Sequence, residues 1–184
     1  PLLANRVLES GEVVPLDGNI MMVAEAEFAF MFGTALPKRT NPYMQEEVMA
    51  AVASLHPAIE VPDSRFNDFA RVGAPQLIAD TACSCWFVLG PAAAAEWRAR
   101  DLVTHAVIAY RNGEPAATGS GASVLGDPRI ALTWLVNELR TFGDGLEAGQ
   151  FVTTGTCVIP IPIAPGDRIH ADFGDLGSVD VELT

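Results

Sequence analysis

Two glutamates that stand two positions apart, Glu25 and Glu27, lie inside the apolar run 20–33. This run alternates evenly and is rich in β-branched and aromatic residues, so it predicts a β-strand rather than a helix. On a strand, residues i and i+2 point to the same face with their Cβ atoms about 7 Å apart. The two carboxylates therefore share one face, which they also share with apolar side chains such as Ala29.

Two adjacent carboxylates on an apolar face are costly, because like charges repel and an unpaired buried ion is strongly disfavoured. Protonation, arginine partners or a bound cation can compensate. A third carboxylate, Glu60, lies in a second apolar stretch, 57–61. Three carboxylate ligands, with water completing the shell, suit Mg²⁺ or Mn²⁺ and not zinc. We therefore expect Glu25, Glu27 and Glu60 to bind one of these cations; the alternative is an edge strand whose glutamates face water.

The composition favours one folded domain. The chain has 184 residues, of which 49% are hydrophobic and 18% charged, and this length allows a core to form without disulfides. The formal net charge is −12, which argues against nucleic acid or an anionic membrane as a partner. No apolar run is long enough to predict a transmembrane helix, and no signal-peptide pattern opens the sequence.

The cysteines and the single lysine narrow the possible chemistry. Cys83, Cys85 and Cys157 are odd in number and lack metal-type spacing, which favours free thiols in a reducing cytoplasm. Lys38 is the only lysine, and its loop context predicts a solvated residue. For Pro1 we expect processing or truncation rather than use as a catalytic amine.

Two main helices are predicted in a mostly β chain. Asn41 and Pro42 are typical of a helix N-cap followed by proline at the first position, which predicts an amphipathic helix over 42–55. Asp127 and Pro128 repeat this pattern and predict a helix over 128–142, ended by Gly143. A short helix is expected around 76–83.

The remaining segments read mainly as strands. Residues 1–19 are expected to be irregular, and the Asn112–Gly113 pair predicts a two-residue hairpin turn. Gly119 to Gly121 is not a phosphate-binding loop, because the strand–loop–helix context and a following lysine are missing. Strands are predicted over 58–61, 86–89, 102–110, 115–119, 151–154, 157–163, 168–173 and 178–183.

Several short motifs occur in the order found in a known family. Together they run from about residue 15 to the C-terminus and occupy 24–30 (the Glu-x-Glu strand), 58–66, 78–83, 118–128, 148–156, 165–167 and 176–179. In these motifs the sequence resembles the fumarylacetoacetate hydrolase superfamily. The resemblance is closer to its hydratase/decarboxylase branch, which contains 2-keto-4-pentenoate hydratases and 4-oxalocrotonate decarboxylases.

The resemblance implies a fold and a reaction. It implies an α+β fold, a β-rich mixed sheet or roll of the fumarylacetoacetate hydrolase C-terminal type, as a single catalytic domain over 1–184. It places Glu25, Glu27 and Glu60 as the triad that holds Mg²⁺ or Mn²⁺ against the carboxylate and keto oxygens of a 2-keto acid. The expected activity is a lyase, a metal-dependent hydratase that adds water to a 2-hydroxy-2,4-dienoate in catabolism of aromatic compounds. Alternatives are decarboxylation of a 2-oxo-3-enedioate, C–C hydrolysis of an acylpyruvate, and a non-catalytic partner subunit.

The resemblance also implies substrate contacts outside the triad. The main chain of Phe28 and the residue Thr156 are expected at the substrate. Arg65 could bind a distal carboxylate through its bidentate guanidinium, or pair with Asp63 or Asp68. Cys83 stands where the family often has serine, and either contacts substrate or is a small buried hydrophobic residue.

Asp80 could orient a metal or substrate ligand, or cap the short helix. His56, His105 and His170 are expected to be structural rather than catalytic. The family's active-site lysine and acidic residue have no match upstream of Glu25, so we expect them in a segment outside this sequence. The resemblance further implies a homo-oligomer and a possible association with a partner decarboxylase or hydratase.

Overall fold

The structure, a computed structural model, describes residues 2–184, so Pro1 lies outside the described residues. Within residues 2–184 the chain forms thirteen strands and three α-helices. The helices are α1 (Gln45–Ala51), α2 (Ala74–Ala79) and α3 (Pro128–Phe142). The strands are β1 (Val7–Glu9), β2 (Val13–Val14), β3 (Val23–Phe32), β4 (Leu36–Pro37), β5 (Val52–Val61), β6 (Trp86–Leu89), β7 (Ala106–Arg111), β8 (Glu114–Ser120), β9 (Gly145–Leu146), β10 (Phe151–Thr156), β11 (Ile161–Pro162), β12 (Arg168–Asp172) and β13 (Ser178–Leu183).

Two mixed sheets make up most of the fold. The first has the order β1-β6-β5-β3-β10, with β11 pairing to β3 as well, and the second has the order β2-β13-β12-β7-β8. Strands β12 and β13 pack against β5, so the inner faces of the two sheets enclose the main core. This architecture confirms the α+β, β-rich mixed-sheet prediction.

Strand β3 is central in the first sheet, which explains why its sequence is apolar on both faces. Its inner face carries Phe28 and Phe30, which are fully buried against the second sheet and its surroundings. Its outer face carries Glu25 and Glu27. Both neighbours of β3, namely β5 and β10, run antiparallel to it. The alternative of a solvated edge strand is therefore wrong.

The predicted helix over 42–55 is wrong at both ends, because Asn41 is not its N-cap, Pro42 is not its first residue and the helix does not continue beyond Ala51. The helix α1 occupies only Gln45–Ala51 and begins after Met44, whose N–H donates to the Glu47 carboxylate at 2.7 Å. The chain then enters β5 at Val52 and continues through Pro57. Cross-strand pairing to β3 and burial of Val52 and neighbouring apolar side chains outweigh the helical spacing of these residues.

The helix α3 confirms its prediction in full. The Asp127 carboxylate accepts a hydrogen bond from the Arg129 N–H at 2.8 Å, Pro128 is the first helical residue, and Gly143 is the C-cap. The hairpin turn is confirmed as well, because Asn112 and Gly113 both have positive φ between β7 and β8. These signals act between residues that are neighbours in the sequence, so the helix cap and the turn form independently of the tertiary contacts around them.

Other boundaries differ from the predictions. The strand expected over 102–110 is displaced to Ala106–Arg111, and the strand expected over 157–163 is reduced to Ile161–Pro162. The region 1–19 is less irregular than predicted, since it contains β1 and β2 at sheet edges. Helix α2 ends at Ala79, before the predicted 83. No helix among residues 2–184 combines the length and apolar character needed to cross a membrane.

Candidate metal centre and substrate site

Three carboxylates meet on the outer face of the first sheet. Glu25 lies directly opposite Glu60 across the β3–β5 pair, and Glu27 lies one pleat further along β3, opposite Ala58. One carboxylate oxygen from each of the three glutamates lies within 4.8 Å of the other two. The structure thus brings together all three residues that the sequence predicted as a metal triad.

Local sequence explains how three charged side chains fit on this face. Antiparallel register puts directly opposed residues on the same face, with Cβ atoms about 4.5–5.5 Å apart. The small residue Ala58 lies opposite Glu27. Glu27 is only 1% exposed, while Glu25 and Glu60 are half-buried.

Burial and mutual repulsion shift the protonation of all three groups. Burial raises the pKa of Glu25. Burial, with the charge of Glu25 adding to it, raises the pKa of Glu27 to about 7. Burial and then the charges of Glu27 and Glu25 raise the pKa of Glu60 to about 9. Without a cation, the cluster therefore retains protons at neutral pH.

The donor set fits a hard divalent cation. Among residues 2–184, no arginine or lysine forms an ion pair with Glu25, Glu27 or Glu60. Of the three compensations for buried carboxylates, arginine pairing is therefore absent from the part of the chain that the structure describes. Three oxygen donors without sulfur or imidazole are the ligands that Mg²⁺ and Mn²⁺ prefer.

Two residues that contact the cluster were missed by the sequence analysis. The Thr153 hydroxyl donates a short hydrogen bond to Glu27 Oε2, and the Gly155 N–H donates to the same oxygen at 3.0 Å. Both lie on β10, which neighbours β3. The pattern Thr-Gly-Thr at 154–156 is a signal that could have found this segment, but the sequence does not reveal which of the threonines faces Glu27.

Thr156, the threonine named from the sequence, has a different contact. Its Cα pairs with that of Glu27, so it lies beside the cluster. Its hydroxyl, however, donates to the Val158 carbonyl at 2.8 Å. Thr156 therefore stabilises the turn after β10.

Phe28 approaches the site with its main chain only. Its side chain points to the inner face of the sheet and packs edge-on against Phe173, with ring centroids 5.1 Å apart. Its carbonyl accepts a hydrogen bond from the Thr154 hydroxyl at 3.2 Å.

A second group of predicted residues lies in the loops that follow β5 and α2. Asp80 is buried and accepts hydrogen bonds from the Ser64 hydroxyl at 2.7 Å and the Arg65 N–H at 3.0 Å, and it forms an ion pair with the Arg65 side chain. These donors lower the pKa of Asp80, with Ser64 contributing most. Asp80 therefore joins the two loops. It is also the C-cap residue of α2, where its main-chain N–H, and not its side chain, donates to the Gln76 carbonyl at 2.9 Å.

Arg65 has a different partner from those expected. The sequence suggested Asp63 or Asp68, but Asp63 accepts from the Ile20 N–H at 2.8 Å and Asp68 pairs with Arg71 at 3.4 Å. Arg65 pairs with Asp80, and its Nη2 donates to the Ala79 carbonyl at 3.1 Å. The guanidinium is held in place while its side chain stays largely exposed.

Cys83 lies in the tight turn after α2. Three successive residues, Thr81 to Cys83, have positive φ values of 53°, 53° and 63°. The Cys83 carbonyl accepts from the Asp63 N–H at 2.9 Å, which ties this turn to the end of β5. Burial raises the pKa of the thiol, so Cys83 is a neutral, buried side chain near the Glu60 carboxylate.

Apolar side chains border the cluster on the same sheet face. Phe87 lies opposite Glu60 across the β5–β6 pair and is fully buried. Its ring stacks on that of Phe151 with centroids 5.2 Å apart. The two rings reach towards each other from β6 and β10 and form one cluster with Ala29 and Ala58. This apolar cover keeps water from the sheet beside the carboxylates.

The histidines and the lysine lie outside the carboxylate cluster. His56 bridges the Ser54 hydroxyl and the Gly90 carbonyl at 2.8 Å each. His105 contacts the Phe173 carbonyl at 2.6 Å, and His170 contacts Asp180 at 3.0 Å. Lys38 is exposed, 3.9 Å from Asp144. These contacts agree with the expectation of structural histidines and a solvated lysine.

The β-rich α+β fold with an acidic cluster on one sheet face is matched by a known protein family. Residues 4–184 match the family model described as fumarylacetoacetate (FAA) hydrolase C-terminal. The chain belongs to this family, which confirms the resemblance seen in the motifs.

Relatives with assigned activities lie in the hydratase/decarboxylase branch. The chain is 33% identical over 178 residues to a 2-hydroxyhexa-2,4-dienoate hydratase of Comamonas testosteroni, covering 96% of this chain and 66% of that protein. It is 35% identical over 173 residues to a 4-oxalocrotonate decarboxylase of Pseudomonas sp. (strain CF600), covering 94% of this chain and 64% of that protein. The chain thus spans slightly less than two thirds of the length of these relatives.

A solved structure of the same branch has the same fold. The 4-oxalocrotonate decarboxylase from Pseudomonas putida G7, complexed with magnesium and adipate, superposes with a TM-score of 0.87 at 32% identity. The superposition covers 98% of this chain and 67% of that one. The same decarboxylase has also been solved with calcium and acetate.

Proposed function

We propose that this chain is the metal-binding catalytic domain of a lyase, a hydratase that adds water to a 2-hydroxy-2,4-dienoate in the catabolism of aromatic compounds. The observation that carries the proposal is the Glu25–Glu27–Glu60 cluster, buried on paired strands of a chain whose relatives include named hydratases. We propose that residues 1–184 form one catalytic domain of this family.

Glu25, Glu27 and Glu60 would hold the cation, which we propose to be Mg²⁺ or Mn²⁺. A bound divalent cation supplies a Lewis acid that polarises the keto oxygen of a 2-keto acid and so favours conjugate addition of water. The protein contributes a preformed donor set in which Glu27 is buried, and release of protons from Glu27 and Glu60 accompanies binding. A magnesium-containing structural relative supports the choice of metal.

Four residues are proposed substrate contacts. The main chain of Phe28 and the residue Thr156 lie on strands beside Glu27. Cys83 and Arg65 lie in the loops beyond Glu60, where Asp80 orients the Arg65 guanidinium. Because the outer edge of that guanidinium is exposed, it remains able to contact a carboxylate. The acid–base residues that the family resemblance places upstream of Glu25 stay a prediction.

The phenyl rings of Phe87 and Phe151 support hydration chemistry through their position. They cover the sheet face next to Glu60. A reactive dienol bound there is shielded on one side, which restricts where a water molecule can add.

Decarboxylation of a 2-oxo-3-enedioate is the second candidate. It is favoured by the 35% identity to a 4-oxalocrotonate decarboxylase and by the decarboxylase that superposes with a TM-score of 0.87. An acylpyruvate hydrolase and a non-catalytic partner subunit on the same fold remain alternatives. We further propose a cytoplasmic homo-oligomer, on the basis of three free cysteines and the family resemblance. Light scattering coupled to size-exclusion chromatography tests the oligomer.

One assay separates the candidates. The protein is incubated with Mg²⁺ or Mn²⁺ and 2-hydroxypenta-2,4-dienoate, and the loss of dienoate absorbance is followed. A hydratase is expected to remove the dienoate absorbance without releasing CO₂. In a second incubation the protein receives 2-oxohex-3-enedioate, and release of CO₂ there would assign the protein as a decarboxylase. Glu25→Gln is the matched negative control. The assay uses the full-length protein, because the expected acid–base residues lie outside residues 1–184. Cleavage of an acylpyruvate would favour the hydrolase, and absence of all three reactions in the metal-loaded protein would favour the non-catalytic partner.

A further inference from the structure

Two hydrogen-bond donors from β10 converge on a single oxygen of Glu27. The Thr153 hydroxyl and the Gly155 N–H both donate to Oε2, the latter at 3.0 Å. A carboxylate oxygen has two lone-pair directions, so these donors occupy those of Oε2. Oε1 receives no hydrogen bond from β10, and Glu27 has a further side-chain hydrogen bond with Glu60, another member of the cluster.

An irregularity in β10 makes this arrangement possible. Thr153 pairs with Ala29 and Thr156 pairs with Glu27, so three steps along β10 correspond to two steps along β3. The extra residue is a β-bulge, which releases one main-chain N–H from the regular ladder. Gly155 has a φ of +104°, a conformation that side-chain-bearing residues rarely adopt. The bulge turns the Gly155 N–H towards the Glu27 side chain.

We propose that Thr153 and Gly155 are positioning residues of the metal centre. They fix the Glu27 carboxylate through Oε2 and so determine that Oε1 is the oxygen offered to the cation. This inference rests on the proposed metal site, since it concerns how one of its three ligands is held. Because Glu27 is buried, water cannot replace the two donors without rearrangement of the sheet face.

The neighbouring threonine provides a matched control. The Thr154 hydroxyl donates to the Phe28 carbonyl at 3.2 Å and not to Glu27. Thr153→Val and Thr154→Val each remove one hydroxyl from the same strand with little change in volume. Only the first removes a donor from the carboxylate cluster.

The test is a calorimetric titration of Mn²⁺ into metal-free protein. Loss of a group that hydrogen-bonds a metal ligand costs about 10–100-fold in metal affinity, and we expect a loss in this range for Thr153→Val. Thr153→Ser, which retains the hydroxyl, should restore affinity to near the wild-type value, and Thr154→Val should bind as wild type does. Circular dichroism establishes that each variant is folded.

Gly155→Ala is an independent second variant. No atom lies within 4 Å of the Cβ that it adds, so its effect comes from the main-chain conformation and not from a clash. We expect it to weaken Mn²⁺ binding as well, because alanine disfavours the φ that directs the N–H to Glu27.

Unchanged Mn²⁺ affinity in Thr153→Val and Gly155→Ala would overturn the inference, and so would an equal loss in Thr154→Val. Glu27→Gln distinguishes this failure from failure of the metal site itself. If Glu27→Gln binds Mn²⁺ as tightly as wild type, the proposed site is wrong. If Glu27→Gln loses binding while the β10 variants retain it, only the positioning role is wrong.

Discussion

Glu25 and Glu60 face each other directly across two antiparallel strands, with their Cα atoms in register and their carboxylates on the same side of the sheet. Like charges directly opposite each other destabilise a sheet. Glu27 adds a third carboxylate to the same cluster. Burial, with the neighbouring carboxylates adding to it, raises the pKa of Glu27 and that of Glu60. The fold therefore accepts a local loss of stability at this position, which cation binding can offset.

The first prediction concerns the pH dependence of stability without metal. Glu60 has a pKa raised to about 9 in the folded chain, against an ordinary value of 4.5. The folded state therefore binds more protons than the unfolded state between these values, and the free energy of unfolding falls as pH rises. Glu60→Gln cannot ionise, so it should match wild type near pH 4 and exceed it by a few kcal/mol at pH 9. Urea unfolding in the presence of a chelator measures this difference.

The exposed glutamate Glu114 serves as control for that experiment. Glu114→Gln should follow the wild-type pH profile throughout the range. A Glu60→Gln profile parallel to wild type from pH 4 to pH 9 would contradict the assigned protonation of the cluster.

The second prediction concerns the effect of metal on thermal stability. At pH 8, adding Mg²⁺ to metal-free protein should raise Tm, because a cation that binds only the folded state stabilises it by about 2.7 kcal/mol at 100 times its Kd. Glu25→Gln should lose this response. Scanning calorimetry with and without Mg²⁺ measures the change in Tm for both proteins. Na⁺ at equal ionic strength is the control. A response of the same size in Glu25→Gln would exclude Glu25 as a ligand.

The third prediction concerns the contact between the two loops beyond β5. Asp80→Ala removes the acceptor of Ser64 and Arg65 and should lower Tm and loosen both loops. Asp68→Ala breaks only the exposed pair with Arg71 and should have a several-fold smaller effect. If Arg65 contacts substrate, Asp80→Ala should also raise KM more than it lowers kcat. Equal Tm losses in the two variants would show that the Asp80 contacts stabilise the fold no more than the exposed Asp68–Arg71 pair does.

The fourth prediction concerns Gly119 on β8. A Cβ at this position would lie 1.9 Å from the Cys157 carbonyl oxygen, so Gly119→Ala forces the two main chains apart. We expect a loss of about 3 kcal/mol or more. Gly113→Ala, where the added Cβ meets open space but φ is +86°, should cost only about 1 kcal/mol. Chemical denaturation compares the two, and equal losses would contradict the close approach of the two segments.

Sequence reasoning predicted well where the signal is local. The N-cap Asp127, the Pro128 that follows it and the Asn112–Gly113 turn act through neighbouring backbone groups, and all three appear as expected. The segment 52–55 was assigned to a helix because its apolar residues have helical spacing. It forms strand instead, since pairing with β3 buries it in the sheet. Such a preference arises from distant residues and leaves no trace in the local pattern.

The sequence by itself determined that Glu25 and Glu27 share one face of a strand, because side chains alternate with a period of two whatever packs against them. It also pointed to Glu60 as their partner through its apolar context and the family motifs. Only the tertiary structure decided that Glu60 lies opposite Glu25, that Asp80 holds Arg65, and that Thr153 and Gly155 contact Glu27. Strand register, loop contacts and the bulge in β10 depend on packing between segments far apart in the chain, which no local pattern encodes.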